Sequence, residues 1–373
     1  MKKENRIVKK ILTLLAALLT LVTAGGLVRM SSRKNESHDS HERQMLKKNN
    51  QENNHERIVS YNVENLFDTK DDLRTNDDDF TPEGANHWTV KRYHEKQSHI
   101  ARVIAAIGEG KAPLIVGLCE VENEYVLKGL TQYSPLKNLK YSYLHQDSPD
   151  SRGIDVALLY QADRFRPIET EFIAVSFPQE TKSRTRDVLY TKGKLVNGEM
   201  LHIFMVHMPS RREGVIETED RRNHVASLIK QRISLLMQKE KDVKIIVMGD
   251  FNDYPTDPSV ASVLDAHRPN RSLRNKDLYN LFYEEHMKGR IGSHKHAGEW
   301  GMLDQMIVTG SLLDEQSKTR LVGRSGHVFA ADFLLEEDHT HGGMKPRRTY
   351  TGPVYHEDGY SDHLPIYLDL IIE

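Results

Sequence analysis

From Arg57 onward, short runs rich in Val, Ile and Leu alternate with longer amphipathic stretches, and several of the short runs break off into Asn, Glu, Asp or His. Apolar runs of about four to eight residues read as strands and 3.6-period stripes as helices, so the alternation commits this part of the chain to an α/β body. The spacing predicts strands over 58–61, 114–118, 155–160, 201–206, 245–248, 305–308 and 366–370. It predicts helices over 90–107, 122–130 and 218–238. The last has Glu219 and Asp220 in its first turn, where acids suit the positive end of the helix dipole, and carries Val225, Leu228, Ile229, Ile233 and Leu236 as one apolar stripe. No fixed-period repeat and no Gly/Pro-rich linker divides the body, so residues 56–373 are expected to form one domain.

Composition narrows the chemistry. A chain of 373 residues, 38% of them hydrophobic, can bury a sizeable core. The single cysteine, Cys119, excludes an internal disulfide framework, a zinc ribbon and a CxxC redox centre, and at the end of an apolar run it reads as an inert core thiol. Reactive groups must therefore be oxygen and nitrogen donors. The formal charge is −2, but residues 1–55 hold 11 Lys and Arg against 5 Asp and Glu, which leaves 41 against 49 in the body. A body that acidic is not held on polyanions by a broad basic face, so any phosphate recognition has to be local.

The amino terminus carries Lys2, Lys3, Arg6, Lys9 and Lys10 ahead of an apolar run from Ile11 to Val22, followed by Thr23, Ala24 and Gly25. Val22 and Ala24 fit the −3 and −1 positions of a cleavage after Ala24, so residues 1–24 are expected to be a signal peptide. The uncharged run continues to Val28, and about 18 apolar residues reach the lower edge of a bilayer span, so an uncleaved membrane anchor is the alternative. With the basic residues left in the cytoplasm, either reading sends the body across the membrane, to a secreted or periplasmic location or to the outer face of the cytoplasmic membrane. No cysteine follows the apolar run, which disfavours a lipoprotein. Residues 25–55, nearly all polar after Val28, read as a disordered tether.

Four fragments place polar residues where an open sheet offers a ligand crevice: Ser60-Tyr61-Asn62, Cys119-Glu120-Val121, Gly249-Asp250-Phe251-Asn252 and Ser361-Asp362-His363. Asn, Glu and Asp are hard oxygen donors, suited to Mg²⁺ or Mn²⁺ rather than zinc. Each fragment has an ordinary reading. Gly-Asp-x-Asn is most often a turn, a glutamate at a strand end a solvated rim residue, and Asp-His near a terminus a surface pair. Their joint occurrence, each after or beside a strand, is what distinguishes this chain.

The order Asn62, Glu120, His207, Gly249-Asp250-Phe251-Asn252, Asp304, Ser361-Asp362-His363 resembles the endonuclease/exonuclease/phosphatase superfamily, to which deoxyribonuclease I belongs, over residues 57–372. The resemblance implies a four-layered α/β/β/α sandwich with two mixed β-sheets and a site at one edge of them. It implies that Asn62, Glu120 and Asp362 bind metal, with Glu120 the principal ligand. It further implies that Asp250 and Asn252 position the attacking water and the phosphate, that Asp304 orients His363, and that His207 is a second catalytic histidine. Asp155 is implied as the acidic partner of His207, and Arg186, 21 residues before it, as a phosphate contact.

Hydrolysis of a phosphate ester needs a directed water, charge stabilisation and a proton for the leaving oxygen, and this set holds a candidate for each. Arg211, in the loop leaving the strand of His207, is where a substrate contact is expected. Arg221 and Arg222 read either as phosphate contacts or as helix-surface charges, Trp300 as a packing residue beside Asp304, and the acidic run 68–79 as a solvated insertion. The spaced pairs His294/His296 and His339/His341 lack an evident third ligand and read as surface loops. The leading expectation is an exported, divalent-metal-dependent phosphodiesterase acting on nucleic acid, an endonuclease in the broad sense. A phosphatase or phospholipase acting on a phosphoinositide, sphingomyelin or another small phosphate ester is the alternative, favoured by the acidity of the body. A non-catalytic surface-tethered binding module is the third reading, and it requires a missing catalytic residue. No obligate protein partner is inferred, and the membrane is engaged only through the possible anchor.

Overall fold

The computed structural model describes residues 55–177, 180, 184–269 and 273–373. The expected signal or anchor segment and the expected tether lie outside these residues, save for His55, which is the first residue of a strand. Among the described residues no helix is long and apolar enough to cross a membrane.

Two seven-stranded mixed sheets form the body. The first runs β14 (Thr319–Leu321), β20 (Ile366–Ile372), β1 (His55–Leu66), β2 (Ile115–Val121), β4 (Asp155–Tyr160) and β3 (Ser142–His145), with β15 (His327–Val328) also on β20. The second runs β5 (Phe165–Ile173), β6 (Val188–Leu195), β7 (Met200–His207), β8 (Ile245–Asp250), β13 (Asp304–Thr309), β10 (Leu278–Asn280) and β9 (Ala266–His267). Small hairpins pair β11 (His294–His296) with β12 (Glu299–Gly301), β16 (Leu335–Glu337) with β17 (Met344–Pro346), and β18 (Tyr350–Thr351) with β19 (Val354–Tyr355).

Three buried clusters show how the layers stack. On β2, Val116 and Leu118 join Ile100, Ile104 and Ile107 of helix α1 (Val90–Ile107), while Ile115 and Cys119 join Met205 and Met248 of the second sheet. On β8, Ile245 and Val247 join Val225, Ile229 and Ile233 of the long helix Glu219–Lys239. Both faces of each sheet are therefore covered, the inner faces by each other, which gives the expected α/β/β/α order. The apolar side chains removed from water in these layers each contribute about 1.5–3 kcal/mol.

Seven core strands and both long helices lie where the hydrophobic periodicity predicts, but the interior strand β6 was not expected, its apolar signal being broken by Lys192, Gly193 and Lys194. The helix expected over 122–130 starts later, at Glu124, because the Asn123 side chain accepts a hydrogen bond from the Val126 amide at 3.1 Å, and beyond Lys128 it continues as a π-helical turn, Gly129–Tyr133. Strands β3 and β5 have no counterpart among the expected elements, and both are edge strands. In β5, Phe165-Arg166-Pro167-Ile168-Glu169 carries the charge and proline that edges favour, and β3 is only four residues long, so neither has a strand-like apolar signal.

Where the sheets approach, Gly117 of β2 leaves no room for a side chain: a β-carbon there would lie 2.4 Å from Met205 Sδ and 2.8 Å from Met248 Cε. Both neighbours are flexible ends that can yield to one methyl group but not to a branched side chain. Gly117→Val is expected to lower stability by about 2 kcal/mol and Gly117→Ala by less, read from urea midpoints at constant slope.

Candidate active site at one end of the two sheets

Strand register builds the first half of the site. His207 ends β7 directly opposite Asp250, which ends β8, and Asp250 lies opposite Asp304, which begins β13. Their neighbours two residues back or on, Met205, Met248 and Met306, belong to the layer between the sheets. Because side chains alternate along a strand, all three functional groups point into that layer at its open end. Asn62 enters from β1 of the other sheet and donates from Nδ2 to Asp250 Oδ2 at 3.1 Å. His207 Nε2 lies 3.6 Å from the same Asp250 oxygen and His363 Nε2 lies 3.9 Å from it. His363 Nδ1 donates to Asp304 Oδ2 at 2.6 Å.

The turn after β8 fixes Asp250. Gly249 has φ +141°, and a β-carbon there would meet the Val206 carbonyl at 1.9 Å, so no other residue lets β7 and β8 close at this point. The Asn252 amide donates to Asp250 Oδ1 at 2.8 Å, and Asn252 Nδ2 donates to the Met208 carbonyl at 3.0 Å.

Glu120 reaches the site by a different device. Strict alternation would send it to the outer, helix-covered face beside Val116 and Leu118. Instead Glu120 sits at φ +66° in a register break between Cys119 and Val121, and Val121 then returns to the outer core. This one-residue bulge turns the carboxylate inward. A matching break in β1 between Asn62 and Leu66 holds Glu64 at φ +54° and Asn65 at φ +57°, and the Asn65 amide donates to Glu120 Oε2 at 2.9 Å. With Asn252 at φ +49°, four non-glycine residues in the left-handed region at one end of the sheets store strain where function is expected.

The charges are sorted sharply. Against the effect of burial, Asp304 and then Asp250 and Asp362 hold the His363 imidazolium, pushing its pKa well above the usual value. Burial, together with Arg186 and Arg152, keeps His207 neutral. Burial and the nearby Asp304 push Asp250 up to about 6. Two imidazoles that face one carboxylate oxygen are thus in opposite protonation states, the arrangement that separates acid from acceptor. Cys119, its thiol pushed up by burial, contacts the Val206 carbonyl and has no part in this chemistry.

Glu120 Oε1 is held only at the limit of ionic contact, 3.8 Å from Arg152 and 3.9 Å from His207 Nε2. The carboxamide oxygen of Asn62 accepts one hydrogen bond, from the Glu64 amide, and keeps a second lone pair. Asp362 gives Oδ2 to Arg348 at 3.2 Å. These hard, incompletely satisfied oxygens fit a divalent cation, and Glu120, Asn62 and Asp362 are the residues that would hold it.

A supporting layer behind these ligands was not expected from sequence. Buried Lys96 of α1 donates to the Tyr360 carbonyl at 2.6 Å and to the Thr349 hydroxyl, and after burial, which lowers its pKa to about 8, it responds most to Glu64, Asp362 and Glu120. Glu64 accepts from the Thr349 amide at 2.6 Å and from Arg348. A lysine on the apolar stripe of α1, between Tyr93 and Ile100, was the signal available for it.

Two expected roles do not match the geometry. Asp155 does not meet His207: it accepts hydrogen bonds from the Ser148 amide and hydroxyl, and His207 Nδ1 is buried with no hydrogen-bond partner among the described residues. Alternation is the reason, since Val156 and Leu158 of β4 face the second sheet and Asp155 faces away. Arg211 is not free to grip substrate. It donates to the Asn252 carbonyl at 2.5 Å, to Asp253 at 2.9 Å and to Asp257, so it clamps the turn that carries Asp250. Arg222, likewise, is wholly buried and lies 2.7 Å from Asp253. Arg186 lies beside the site, bound to Asp150 at 3.1 Å and to the Met208 carbonyl at 3.3 Å. His294, expected on a surface loop, instead packs against His363 with ring centroids 4.7 Å apart and the rings tilted by 41°, and burial, then His363, pushes it down to about 4.

The sequence matches the model of the Endonuclease/Exonuclease/phosphatase family over residues 57–371. No curated protein matches it. Solved structures share the fold at low identity. An endonuclease/exonuclease/phosphatase family protein from Bacteroides thetaiotaomicron is 16% identical, with a TM-score of 0.52 over 86% of this chain and 95% of that one. Humanized D. rerio TDP2 is 15% identical, with a TM-score of 0.52 over 85% of this chain and 99% of that one. A mannosyl-6-phosphatase from Bacteroides thetaiotaomicron is 16% identical, with a TM-score of 0.51 over 85% of this chain and 100% of that one.

Asp304→Asn is expected to lower turnover at least ~10²-fold without unfolding the chain, and to move the basic limb of the pH–rate profile toward lower pH, because the anion that raises the His363 pKa is removed. Asp155→Asn is expected to behave in the opposite manner. Burial raises Asp155 to about 7, so its ionisation opposes folding as pH rises from its unfolded value toward and past 7. The variant should keep its turnover and gain ~2 kcal/mol of stability at pH 8, a gain that vanishes near pH 4, as read by urea unfolding at the two pH values.

Proposed function

The chain belongs to the endonuclease/exonuclease/phosphatase family, and from that premise we propose that it is an exported, magnesium-dependent phosphodiesterase that cuts nucleic-acid backbones. The observation that carries the substrate assignment is a cleft of about 710 Å³ beside His207, lined by Arg152, Arg184, Arg186, Arg212 and Arg221. Asp150, Glu180 and Glu213 line it as well, and they pair with Arg186 and Arg221. Arg184 and Arg212 form no ion pair among the described residues, and Arg152 bridges the cleft to Glu120. A strand with a phosphate on either side of the cut bond has a second anion to place there, and a simple monoester does not. In a body of net −8, this cleft supplies local positive charge, five guanidinium groups against three carboxylates.

In this reading Glu120, Asn62 and Asp362 would hold Mg²⁺, or Mn²⁺ in its place, which would supply charge stabilisation to the phosphoryl oxygens. Asp250 orients the attacking water and takes its proton, for which a pKa of about 6 is well placed. Asn252 has one amide hydrogen on Met208 and offers the other to a phosphate oxygen. His363, kept cationic by Asp304, gives its Nε2 proton to the leaving oxygen, and neutral His207 faces the same phosphate from β7. Export rests on the basic residues Lys2 to Lys10 followed by the apolar run from Ile11 to Val22, with a secreted, periplasmic or membrane-anchored body as its outcome. The alternative, a phosphatase for small esters, draws on the acidity of the body and on the fold shared with a sugar phosphatase.

Supercoiled plasmid with Mg²⁺ is expected to be nicked, and EDTA or Glu120→Gln to remove at least ~10³-fold of that activity. Arg212→Glu should raise KM for plasmid about tenfold while leaving turnover of bis-p-nitrophenyl phosphate near normal. Absence of nicking together with brisk hydrolysis of p-nitrophenyl phosphate would move the assignment to the phosphatase.

A further inference from the structure

We propose that His294, Asp362 and His363 form a binding site for a transition-metal dication of the zinc class, and that filling it withdraws His363 from catalysis. The ligand atoms of the three side chains all lie within 4.8 Å of one another. The hairpin β11–β12 brings His294 there rigidly. Its backbone bridges that of His363, and the preceding residue, fully buried Ser293, accepts at its carbonyl from the Leu364 amide at 2.6 Å and at its hydroxyl from the Asp304 amide at 2.9 Å.

His294 and Asp362 each have a lone pair to give, and His363 gives one once the ion displaces its Nε2 proton to solvent. The His294 ring makes no hydrogen bond among the described residues, although it is packed at 4.7 Å against the His363 ring. His363 uses Nδ1 on Asp304 and leaves Nε2 free. Asp362 uses Oδ2 on Arg348 and leaves Oδ1. Two imidazoles with one carboxylate are the donor set of zinc-type ions, whereas magnesium prefers oxygen, so this site and the magnesium site, which share Asp362, differ in the metal they select. The Asp304–His363 pair is itself the arrangement of a metal-bound histidine, in which a carboxylate fixes the tautomer and turns the second nitrogen toward the ion. The same nitrogen is the one proposed to protonate the leaving oxygen, so zinc and turnover exclude each other.

Zinc binding does not depend on the proposed hydrolysis; only the inhibition rests on it. The full chain carries 19 histidines, so the decisive quantity is a difference between proteins. Zinc is titrated into the full-length protein against a chromophoric chelator, for wild type, His294→Ala and His294→Gln, with circular dichroism as the check on folding. Wild type is expected to hold one more tight zinc ion than either folded variant, and zinc-edge X-ray absorption to lose imidazole scattering in the variants. In plasmid nicking, with each protein referred to its own magnesium-supported rate, the zinc concentration for half inhibition should rise at least tenfold in the variants. Equal numbers of tight zinc ions in wild type and a folded variant would overturn the site. A lost zinc ion with unchanged inhibition would overturn its coupling to His363. A protein that binds zinc as expected but cuts no phosphodiester would instead refute the proposed function and leave the site standing.

Discussion

One row of cross-strand pairing, His207 opposite Asp250 opposite Asp304, holds the rest of the site in place. Adjacent strands lie about 4.8 Å apart, so three side chains in one row on one face are brought within reach of a single small ligand without any loop having to order itself. A slip of one residue in either pairing would turn a member of the row to the helix-covered face. Gly249 protects that register, since its missing side chain is what lets β8 lie against the Val206 carbonyl. Arg211 and Arg222 then secure the turn beyond it through Asp253, which uses two guanidinium groups for positioning rather than for substrate.

The opposite sheet contributes by breaking its own regularity. Glu120 belongs by parity to the outer face and is rotated inward by a bulge, at the cost of a left-handed backbone that a glutamate does not favour. That cost is offset by the surrounding polar layer: the Asn65 amide fixes one Glu120 oxygen, and Glu64, Arg348 and Lys96 share charge and hydrogen bonds beneath Asp362. The outcome is two unlike halves, a rigid row of acid–imidazole pairs on one sheet and strained oxygen donors on the other. Their facing arrangement keeps one imidazole charged and the other neutral, and so gives direction to proton transfer.

Much of this arrangement was legible in the chain because buried strands and amphipathic helices have strong periodicities. Asp155–Tyr160 and Val90–Ile107 appear with the bounds that periodicity assigns them. The polar fragments at the strand ends, read with the family resemblance, pointed to residues that the structure does bring together, Asn62, Asp250, Asp304, His207 and His363 among them. What escaped depends on three-dimensional facts with no local signature. Parity turns Asp155 away from His207, and a chain position alone does not state parity relative to another sheet. Arg211 was placed correctly near the site, but its partner Asp257 lies 46 residues away in sequence. His294 looked like half of a surface pair because nothing in its neighbourhood announces that a hairpin will carry it to a residue nearly seventy positions later.

Oxygen donors of the first sheet, Glu120, Asn62 and Asp362, converge on one divalent ion at the open end of the sandwich, facing the acid–imidazole row of the second sheet. Anomalous diffraction from crystals soaked in Mn²⁺ tests this convergence most directly. A manganese peak is expected, bonded to the carboxylate of Glu120 and the carboxamide oxygen of Asn62 and lost in Glu120→Gln crystals. A peak that appears only away from Glu120, or that persists unchanged when Glu120 is replaced, would contradict it.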